Sequence, residues 1–291
     1  MKRVGPPLAR RSPRVVEGSQ PMLETRSLSK TFNPQTTNEV RALNGVELAV
    51  EEGSWVVVVG TNGSGKSSLL NAIAGTFLVD AGEIFLDGQD LTSKAEHERA
   101  RFIGRVFQNP FSGTAADMSI AENFSLAARR GMLRGLGWAL GSELKQALRE
   151  RVRRLNLGLE DRLGNSIGSL SGGQRQALTL LMATWVRPKL LLLDEHTAAL
   201  DPKSADQVIR LTEEIVLQDK LTTLMVTHSM QQAASLGDRL VMMHRGRIIH
   251  DLRGAEKRRA RVNDLLARFE EVRCREQLDE TAAEMLRRAY V

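Results

Sequence analysis

The segment from Gly60 to Ser67 reads Gly-Thr-Asn-Gly-Ser-Gly-Lys-Ser and satisfies the G-x-x-x-x-G-K-[ST] pattern of loops that bind nucleoside triphosphates. Its three glycines allow the backbone to wrap closely around a phosphate with the N–H groups turned inward. We expect Lys66 to bind the β- and γ-phosphates and the Ser67 hydroxyl to ligate Mg²⁺. The nucleotide-binding residues predicted here are Gly60, Thr61, Asn62, Gly63, Ser64, Gly65, Lys66, Ser67 and Ser68.

The sequence on each side of this loop has the character that a phosphate-binding loop requires. The apolar run Trp55–Val59 predicts a buried strand before the loop, and Ser68–Ala74 predicts a helix after it. A helix that begins at the phosphates directs the positive end of its dipole toward their negative charge. The order of strand, loop and helix therefore disfavours a glycine-rich turn with a chance lysine, although it fits a GTPase, a kinase or a helicase equally well.

A second stretch, Leu170–Leu178, reads Leu-Ser-Gly-Gly-Gln-Arg-Gln-Ala-Leu and is the most specific part of the chain. Ser171 and Gln174 have the spacing of a capping box, and the predicted helix continues through Ala177–Val186. The two glycines leave the first-turn N–H groups uncovered, which makes this helix start a second anion-binding site. We therefore expect one phosphate to be bound by two surfaces, the second formed by Ser171, Gly172, Gly173 and Gln174.

The rest of the chain alternates between short apolar strands and helices. Strands are predicted at Leu190–Leu193 and Thr222–Val226, with a helix at Ala205–Leu217 between them and a hairpin over Val241–His250. Strands that are apolar on both faces predict an α/β fold with a mainly parallel sheet covered by helices on both sides. Residues 110–168 are mostly helix formers broken by glycines, which predicts a helical subdomain inserted into this core.

The two ends of the chain differ from this core. Residues 1–21 are basic and rich in proline, which predicts a disordered tail. The alternatives are a contact with anionic lipid headgroups and a translation start at Met22, where the organised pattern begins. Residues 255–291 carry dense charge of both signs, and apolar residues recur there at helical spacing, at Val262, Leu265, Leu266, Phe269 and Val272. This pattern predicts a C-terminal helix packed on its own domain, with a contact to a partner chain as the alternative.

The composition narrows the classes of function. Among 291 residues, 41 basic and 35 acidic side chains give a net charge of +6, and aromatic residues make up 4%. The charge excess lies partly in the tails, so together with the scarce aromatics it argues against a nucleic-acid partner. The single cysteine, Cys274, excludes an internal disulfide and fits a reducing cytosol. The apolar runs fall short of the roughly 18 residues that span a bilayer, so transport would need another chain.

The phosphate loop and the Leu-Ser-Gly-Gly-Gln stretch together resemble the nucleotide-binding domain of ABC ATPases, over residues 22–254. The resemblance implies a P-loop NTPase of ABC ATPase type with an antiparallel β subdomain and the inserted helical subdomain at about residues 110–168. In that family two such domains pack head to tail, and the signature helix of one closes on the ATP held by the other. Ser171 and Gly173 would therefore act on a partner's γ-phosphate in an ATP-bound homodimer.

The resemblance also assigns chemistry to residues at the predicted strand ends. Asp194 and Glu195 follow the strand Leu190–Leu193, and they would hold Mg²⁺ and polarise the attacking water, respectively. Gln108 matches a loop glutamine that reaches both metal and water, and His228 matches a histidine that contacts the γ-phosphate. Taken singly, Gln108 and His228 would be ordinary loop residues. The implied catalytic residues are Glu195, His228, Gln108 and Lys66, and the implied metal ligands are Ser67, Gln108 and Asp194.

Two further positions acquire roles from the resemblance, and two depart from it. Asp201 matches the loop between the two monomers, and Phe32 lies where the family places an aromatic ring that stacks on adenine, with a core phenylalanine as the alternative. Position 32 is phenylalanine rather than the commoner tyrosine, and position 196 is histidine where the family usually has proline. His196 could adjust the geometry of Glu195 or be a subfamily variation, and we prefer the second interpretation.

Phrases such as Asp194–Asp201 and Leu221–His228 are similar to those of bacterial single-domain ATPase subunits associated with importers. The resemblance implies a separate transmembrane permease, an extracytoplasmic solute-binding protein, ATP and Mg²⁺ as cofactors, and a peripheral location on the cytoplasmic face of the cell membrane. It suggests amino acids, including aromatic ones, as cargo. The alternative is a soluble ABC-type ATPase without a membrane partner, such as the iron–sulphur assembly type. The intact catalytic set argues against a catalytically dead regulatory subunit.

Overall fold

The computed structural model describes residues 20–131 and 142–272, and the strands in these ranges form two sheets. The strands are β1 (Leu23–Phe32), β2 (Val40–Val50), β3 (Trp55–Gly60), β4 (Ala81–Leu86), β5 (Gln89–Asp90), β6 (Ile103–Val106), β7 (Leu190–Asp194), β8 (Thr223–Val226), β9 (Arg239–His244) and β10 (Arg247–Arg253). The helices are α1 (Lys66–Ala74), α2 (Glu96–Arg99), α3 (Ile120–Ala128), α4 (Ser142–Arg153), α5 (Gly172–Trp185), α6 (Pro202–Gln218), α7 (Met230–Ser235) and α8 (Gly254–Arg259).

The larger sheet has the strand order β10-β9-β3-β8-β7-β6. All its neighbouring strands run parallel except β10, which forms an antiparallel hairpin with β9 at one edge. The predicted mainly parallel sheet is therefore confirmed. The two predicted helices are also confirmed. α5 begins directly after Ser171, as predicted, and ends one residue before Val186, whereas α6 extends the predicted Ala205–Leu217 at both ends.

Both faces of the larger sheet are covered. On β3, Val56 and Val58 pack in a first core with α1 and the other sheet, whereas Val57 and Val59 pack in a second core with α5 and α6. All the residues of β3 are buried. Since a parallel strand covered on both faces excludes water from every side chain, the continuous valine run suits this position.

The smaller sheet is antiparallel, with the order β2-β1-β4-β5. β1 pairs with both β2 and β4 and was not anticipated from the sequence, and neither was β6. Val46–Val50 forms the end of β2, whereas the strand that follows it, β3, belongs to the larger sheet. The turn at residues 51–53 therefore links the two sheets.

A third core lies among α3, α4 and α5. Phe124, Leu148 and Leu178 are fully buried in it. Within residues 110–168, α3 and α4 are helical, whereas most of the other described residues form turns and loops. Ser119 caps α3 through a capping box with Glu122. The segment 132–141 lies outside the described residues.

Residues 262–272 are helical. Leu265 and Phe269 are buried in the second core, whereas Leu266, which belongs to the same predicted apolar pattern, is exposed. The rest of the C-terminal extension, including Cys274, and residues 1–19 of the predicted tail lie outside the described residues. Within residues 20–131 and 142–272, none of the helices combines the length and the apolar character needed to cross a membrane.

Candidate active site

The phosphate loop connects β3 to α1. Gly65 is the N-cap of α1 and has a left-handed backbone, with φ of 98°. A Cβ atom at this position would lie 2.3 Å from the carbonyl oxygen of Ala42. Both the positive φ and the lack of room for a Cβ atom therefore require glycine. Because a glycine cap carries no side chain, the first N–H groups of α1 are open to an anion.

The loop is supported from behind by the turn between β9 and β10. The Gly246 N–H donates to the Ser64 carbonyl oxygen at 2.9 Å, and the Asn44 N–H donates to the Gly246 carbonyl oxygen, also at 2.9 Å. Both sheets therefore contribute to the fixed shape of the loop.

Lys66 is the first residue of α1, and its side chain reaches back into the phosphate loop. Its Nζ donates to the carbonyl oxygens of Gly60 at 2.9 Å and Thr61 at 3.0 Å. Burial lowers the pKa of Lys66, although the nearby charges of Glu195 and Asp194 act in the opposite direction. The ammonium is thus held among backbone carbonyls beside two carboxylates, in a position suited to a phosphate.

Two carboxylates follow one another at the carboxyl end of β7. Asp194 is the last residue of the strand, and burial raises its pKa, against the effects of the Arg105 charge and a hydrogen bond from Ser67. The Glu195 N–H donates to the Val226 carbonyl oxygen at 3.0 Å on the neighbouring strand. Glu195 has a φ of 46°, a conformation that non-glycine residues adopt rarely.

The oxygen donors at the loop fit a magnesium ion that arrives with a triphosphate. The Ser67 hydroxyl acts to lower the pKa of the Asp194 carboxyl, so a hydroxyl and a carboxylate oxygen lie near each other. The part of the chain that the structure describes contains no group of three or more histidine, cysteine or acidic side chains able to hold a metal ion. A partial donor set of this kind is typical of Mg²⁺, which is bound by one or two carboxylates together with substrate phosphates and waters.

His228 contacts Glu195 directly. Its Nε2 lies 2.5 Å from Oε1 of Glu195, whose side chain is almost fully buried, while the imidazole is 46% exposed. The residues on both sides of His228 are joined by a hydrogen bond, in which the Thr227 hydroxyl donates to Oε1 of Gln232 at 2.7 Å. The exposed side of the imidazole therefore remains accessible to substrate.

The signature residues form a separate group at the start of α5. Ser171 and Gln174 make the predicted capping box, with the Gln174 N–H donating to the Ser171 hydroxyl at 3.2 Å. A Cβ atom at Gly173 would lie 2.7 Å from Cβ of Ser204, so α5 packs closely on the start of α6. Asp201 caps α6 by accepting a hydrogen bond from the Ser204 N–H at 3.0 Å. Among the described residues, no hydrogen bond joins this group to the phosphate loop.

Gln108 and Phe32 lie at two further edges of the site. Gln108 is exposed two residues after β6, and because Val106 pairs with Leu193, it leaves the sheet at the same edge as Asp194. Phe32 ends β1 and is partly exposed, with its ring edge-to-face with Phe77 at a centroid distance of 5.2 Å.

Sequence reasoning missed two long-range contacts beside the carboxylates. Nη2 of Arg105 lies 3.5 Å from Oδ2 of Asp194, and Arg105 also donates to Oδ1 of Asn71 at 2.5 Å. His196, which follows Glu195, is fully buried, and its Nε2 lies 3.0 Å from the Thr212 hydroxyl. Burial lowers the pKa of His196 to about 4. Both contacts join residues distant in the chain, so no local pattern marks them.

Comparisons with known proteins agree with this geometry. The family model described as ABC transporter matches residues 43–198. A tyrosine transport ATP-binding protein of Clostridioides difficile is 42% identical over 250 residues, which cover 86% of this chain and 99% of that protein. The lipoprotein-releasing system ATP-binding protein LolD of Ruegeria pomeroyi is 35% identical over 79% of this chain and 98% of its own length.

Solved structures give the same result. The dimeric post-hydrolysis state of an ATP-binding cassette bound to ADP and phosphate has a TM-score of 0.69 at 27% identity, over 80% of this chain and 98% of that one. The ADP conformation of another ABC transporter cassette has a TM-score of 0.68 at 27% identity, over 86% of this chain and 96% of that one. On the family match, the curated relatives and the assembled site, this chain belongs to the ABC transporter family as an ATP-binding, ATP-hydrolysing subunit.

Proposed function

We propose that this chain powers the import of a small solute through a separate transmembrane permease, by ATP-driven head-to-tail dimerisation on the cytoplasmic face of the cell membrane. The observation that carries the hydrolytic part is the contact between His228 and Glu195, beside Lys66 and Asp194. This arrangement supports the proposal because a lysine and two carboxylates lie together at the carboxyl ends of the strands, where the lysine could bind phosphate and the carboxylates could bind metal and water.

Each residue has a distinct task in this proposal. The phosphate loop and Lys66 bind the triphosphate, while Phe32 contacts the adenine ring. Ser67, Asp194 and Gln108 hold Mg²⁺, which would neutralise charge on the β- and γ-phosphates. Glu195 orients and polarises the attacking water, and His228 fixes the Glu195 carboxylate while its exposed side meets the γ-phosphate.

A second copy completes the site. The Ser171 and Gln174 cap bonds at the start of α5 lie within one copy and contact no phosphate. The first-turn N–H groups of Gly172 and Gly173 are therefore available to a ligand held by another copy. In the proposed dimer, Ser171, Gly172, Gly173 and Gln174 of one copy close on the γ-phosphate held by the other, with Asp201 at the same interface. ATP then favours the closed state because it contacts both copies, and hydrolysis removes that preference.

The similarity to the tyrosine transport protein suggests the cargo class. It extends over 99% of that relative at 42% identity, which favours an amino acid, including aromatic ones, delivered by an extracytoplasmic solute-binding protein. The cargo itself would be selected by those other chains, because the residues of this site face only nucleotide and the dimer partner.

The test is a pull-down of the tagged protein from gently solubilised native membranes, with the co-purifying chains identified by mass spectrometry. A polytopic membrane protein in stoichiometric amount is the expected result. Uptake of radiolabelled tyrosine and other amino acids into cells that lack this chain would then test cargo and direction. Recovery with soluble partners only, from a preparation in which a control membrane complex survives, would replace the transporter proposal with a soluble ABC-type ATPase.

A further inference from the structure

The residue that follows Glu195 is anchored to a different helix by its side chain. His196 is fully buried, and its Nε2 lies 3.0 Å from Oγ1 of Thr212 on α6. The Thr212 hydroxyl donates its single hydrogen to the Val208 carbonyl oxygen at 2.8 Å. The imidazole must therefore be the donor in the other bond, so Nε2 carries a hydrogen.

The second ring nitrogen of His196 identifies the tautomer. Nδ1 is buried and has no hydrogen-bond partner within residues 20–131 and 142–272. A hydrogen on both nitrogens would place an uncompensated charge in the core, which is costly. The ring is therefore neutral in the Nε2–H form, and the bond to Thr212 is the polar contact that holds it.

This anchored residue lies next to a strained one. Glu195 has a φ of 46°, and such a conformation in a non-glycine residue persists where the surroundings impose it. The turn after Glu195 closes with the Ala198 N–H donating to the Glu195 carbonyl oxygen at 2.9 Å, and Gln232 binds the Thr197 hydroxyl at 3.3 Å. His196 provides the connection between this turn and α6.

We propose that His196 is a positioning residue for the catalytic carboxylate: its Nε2–H bond to Thr212 fixes the Glu195 turn on α6, the helix that begins at Asp201. A proline at this position has no side-chain donor and restricts the preceding residue to extended conformations, unlike the φ observed at Glu195. The inference rests on the proposed role of Glu195. It replaces our sequence-based preference for a neutral subfamily variation.

The test compares steady-state ATP hydrolysis across a set of variants. His196→Ala and Thr212→Val each remove the bond and should lower kcat by about 10- to 100-fold, since small misplacements of a catalytic group have effects of this size. The KM for ATP should stay unchanged because the phosphate loop is not altered. His196→Gln keeps a donor at the position of Nε2, and Thr212→Ser keeps the acceptor, so both should recover most of the lost rate.

Three further measurements separate positioning from folding. The double variant His196→Ala/Thr212→Val should be no slower than the slower single variant, because both changes remove one bond. Ring ¹⁵N chemical shifts of the histidines should place His196 in the Nε2–H tautomer. Thermal unfolding followed by circular dichroism gives the folded fraction, to which every rate is normalised.

The outcomes that would overturn the inference are specific. The inference is wrong if His196→Ala has a normal kcat per folded molecule. It is also wrong if the losses of kcat in the double variant are additive, or if the ¹⁵N shifts show another tautomer of His196. Glu195→Gln is measured alongside: if it hydrolyses ATP normally, the proposed role of Glu195 is wrong. If Glu195→Gln is inactive while His196→Ala is fully active, the inference alone fails.

Discussion

Nε2 of His228 lies 2.5 Å from Oε1 of Glu195, and the main-chain N–H of Glu195 donates to Val226, two residues before that histidine. The side chain and the backbone of the glutamate are thus held by the same segment at the end of β8. The position of the carboxylate depends on this neighbouring strand as well as on β7, which carries it.

Replacing Glu195 by glutamine should abolish turnover without abolishing ATP binding. The amide keeps the size of the side chain but cannot act as a base, so kcat should fall by about 10²- to 10⁴-fold. With Mg-ATP the variant should accumulate as a dimer in gel filtration. Glu52→Gln, in an exposed turn, is the matched control and should behave as wild type. A variant that stays monomeric with Mg-ATP would contradict the ATP-bound dimer.

Replacing Lys66 by alanine should weaken nucleotide binding and stop hydrolysis. Charge-assisted hydrogen bonds to phosphate contribute about 1.5–3 kcal/mol, so ATP affinity should fall by about 10- to 100-fold in a fluorescent-nucleotide titration. Lys189→Ala removes a partly exposed lysine that pairs with Asp87, and it should change neither quantity. Normal hydrolysis by Lys66→Ala would rule out the proposed phosphate contact.

Ser171 and Ser119 offer a comparison between two similar helix caps. Each serine accepts a hydrogen bond from the N–H three residues later at 3.2 Å. Alanine at either position should lower the free energy of unfolding by about 1 kcal/mol in urea denaturation. Only Ser171→Ala should also reduce ATPase activity and ATP-dependent dimer formation. Equal activity losses in the two variants would mean that Ser171 acts only as a cap.

Phe32→Ala should raise the KM for ATP while leaving kcat nearly unchanged. Stacking of a base on an aromatic side chain contributes about 1–3 kcal/mol, which predicts an increase in KM of at least about fivefold. Phe85, a partly exposed phenylalanine in the same antiparallel sheet, provides the control variant Phe85→Ala. If both variants have the same KM, Phe32 is a structural residue of the sheet.

Local patterns were sufficient to predict the elements that carry the phosphate loop and the signature helix. The Ser171 capping box and the buried strand before Asp194 are encoded by neighbouring residues, and both are present. The capping box at Ser119 has the same local signal and could have been read from the sequence.

Contacts between distant parts of the chain were not predictable in this way. The approach of Arg105 to Asp194 and the bond between His196 and Thr212 depend on how elements pack, which a single sequence does not reveal. The same holds for β1, since its place between β2 and β4 is determined by long-range pairing. The roles assigned to Gln108 and Phe32 remain predictions, because both lie at the edge of the site without a contact to the carboxylates among the described residues.

The strand order has a consequence for synthesis of the protein on the ribosome. β8 lies between β3, which leads into the phosphate loop, and β7, which carries the two carboxylates. A nascent chain that has emerged only as far as Asp194 therefore lacks the strand that brings these halves together. The complete set of phosphate loop, carboxylates and His228 therefore comes together only after residue 228 has left the exit tunnel.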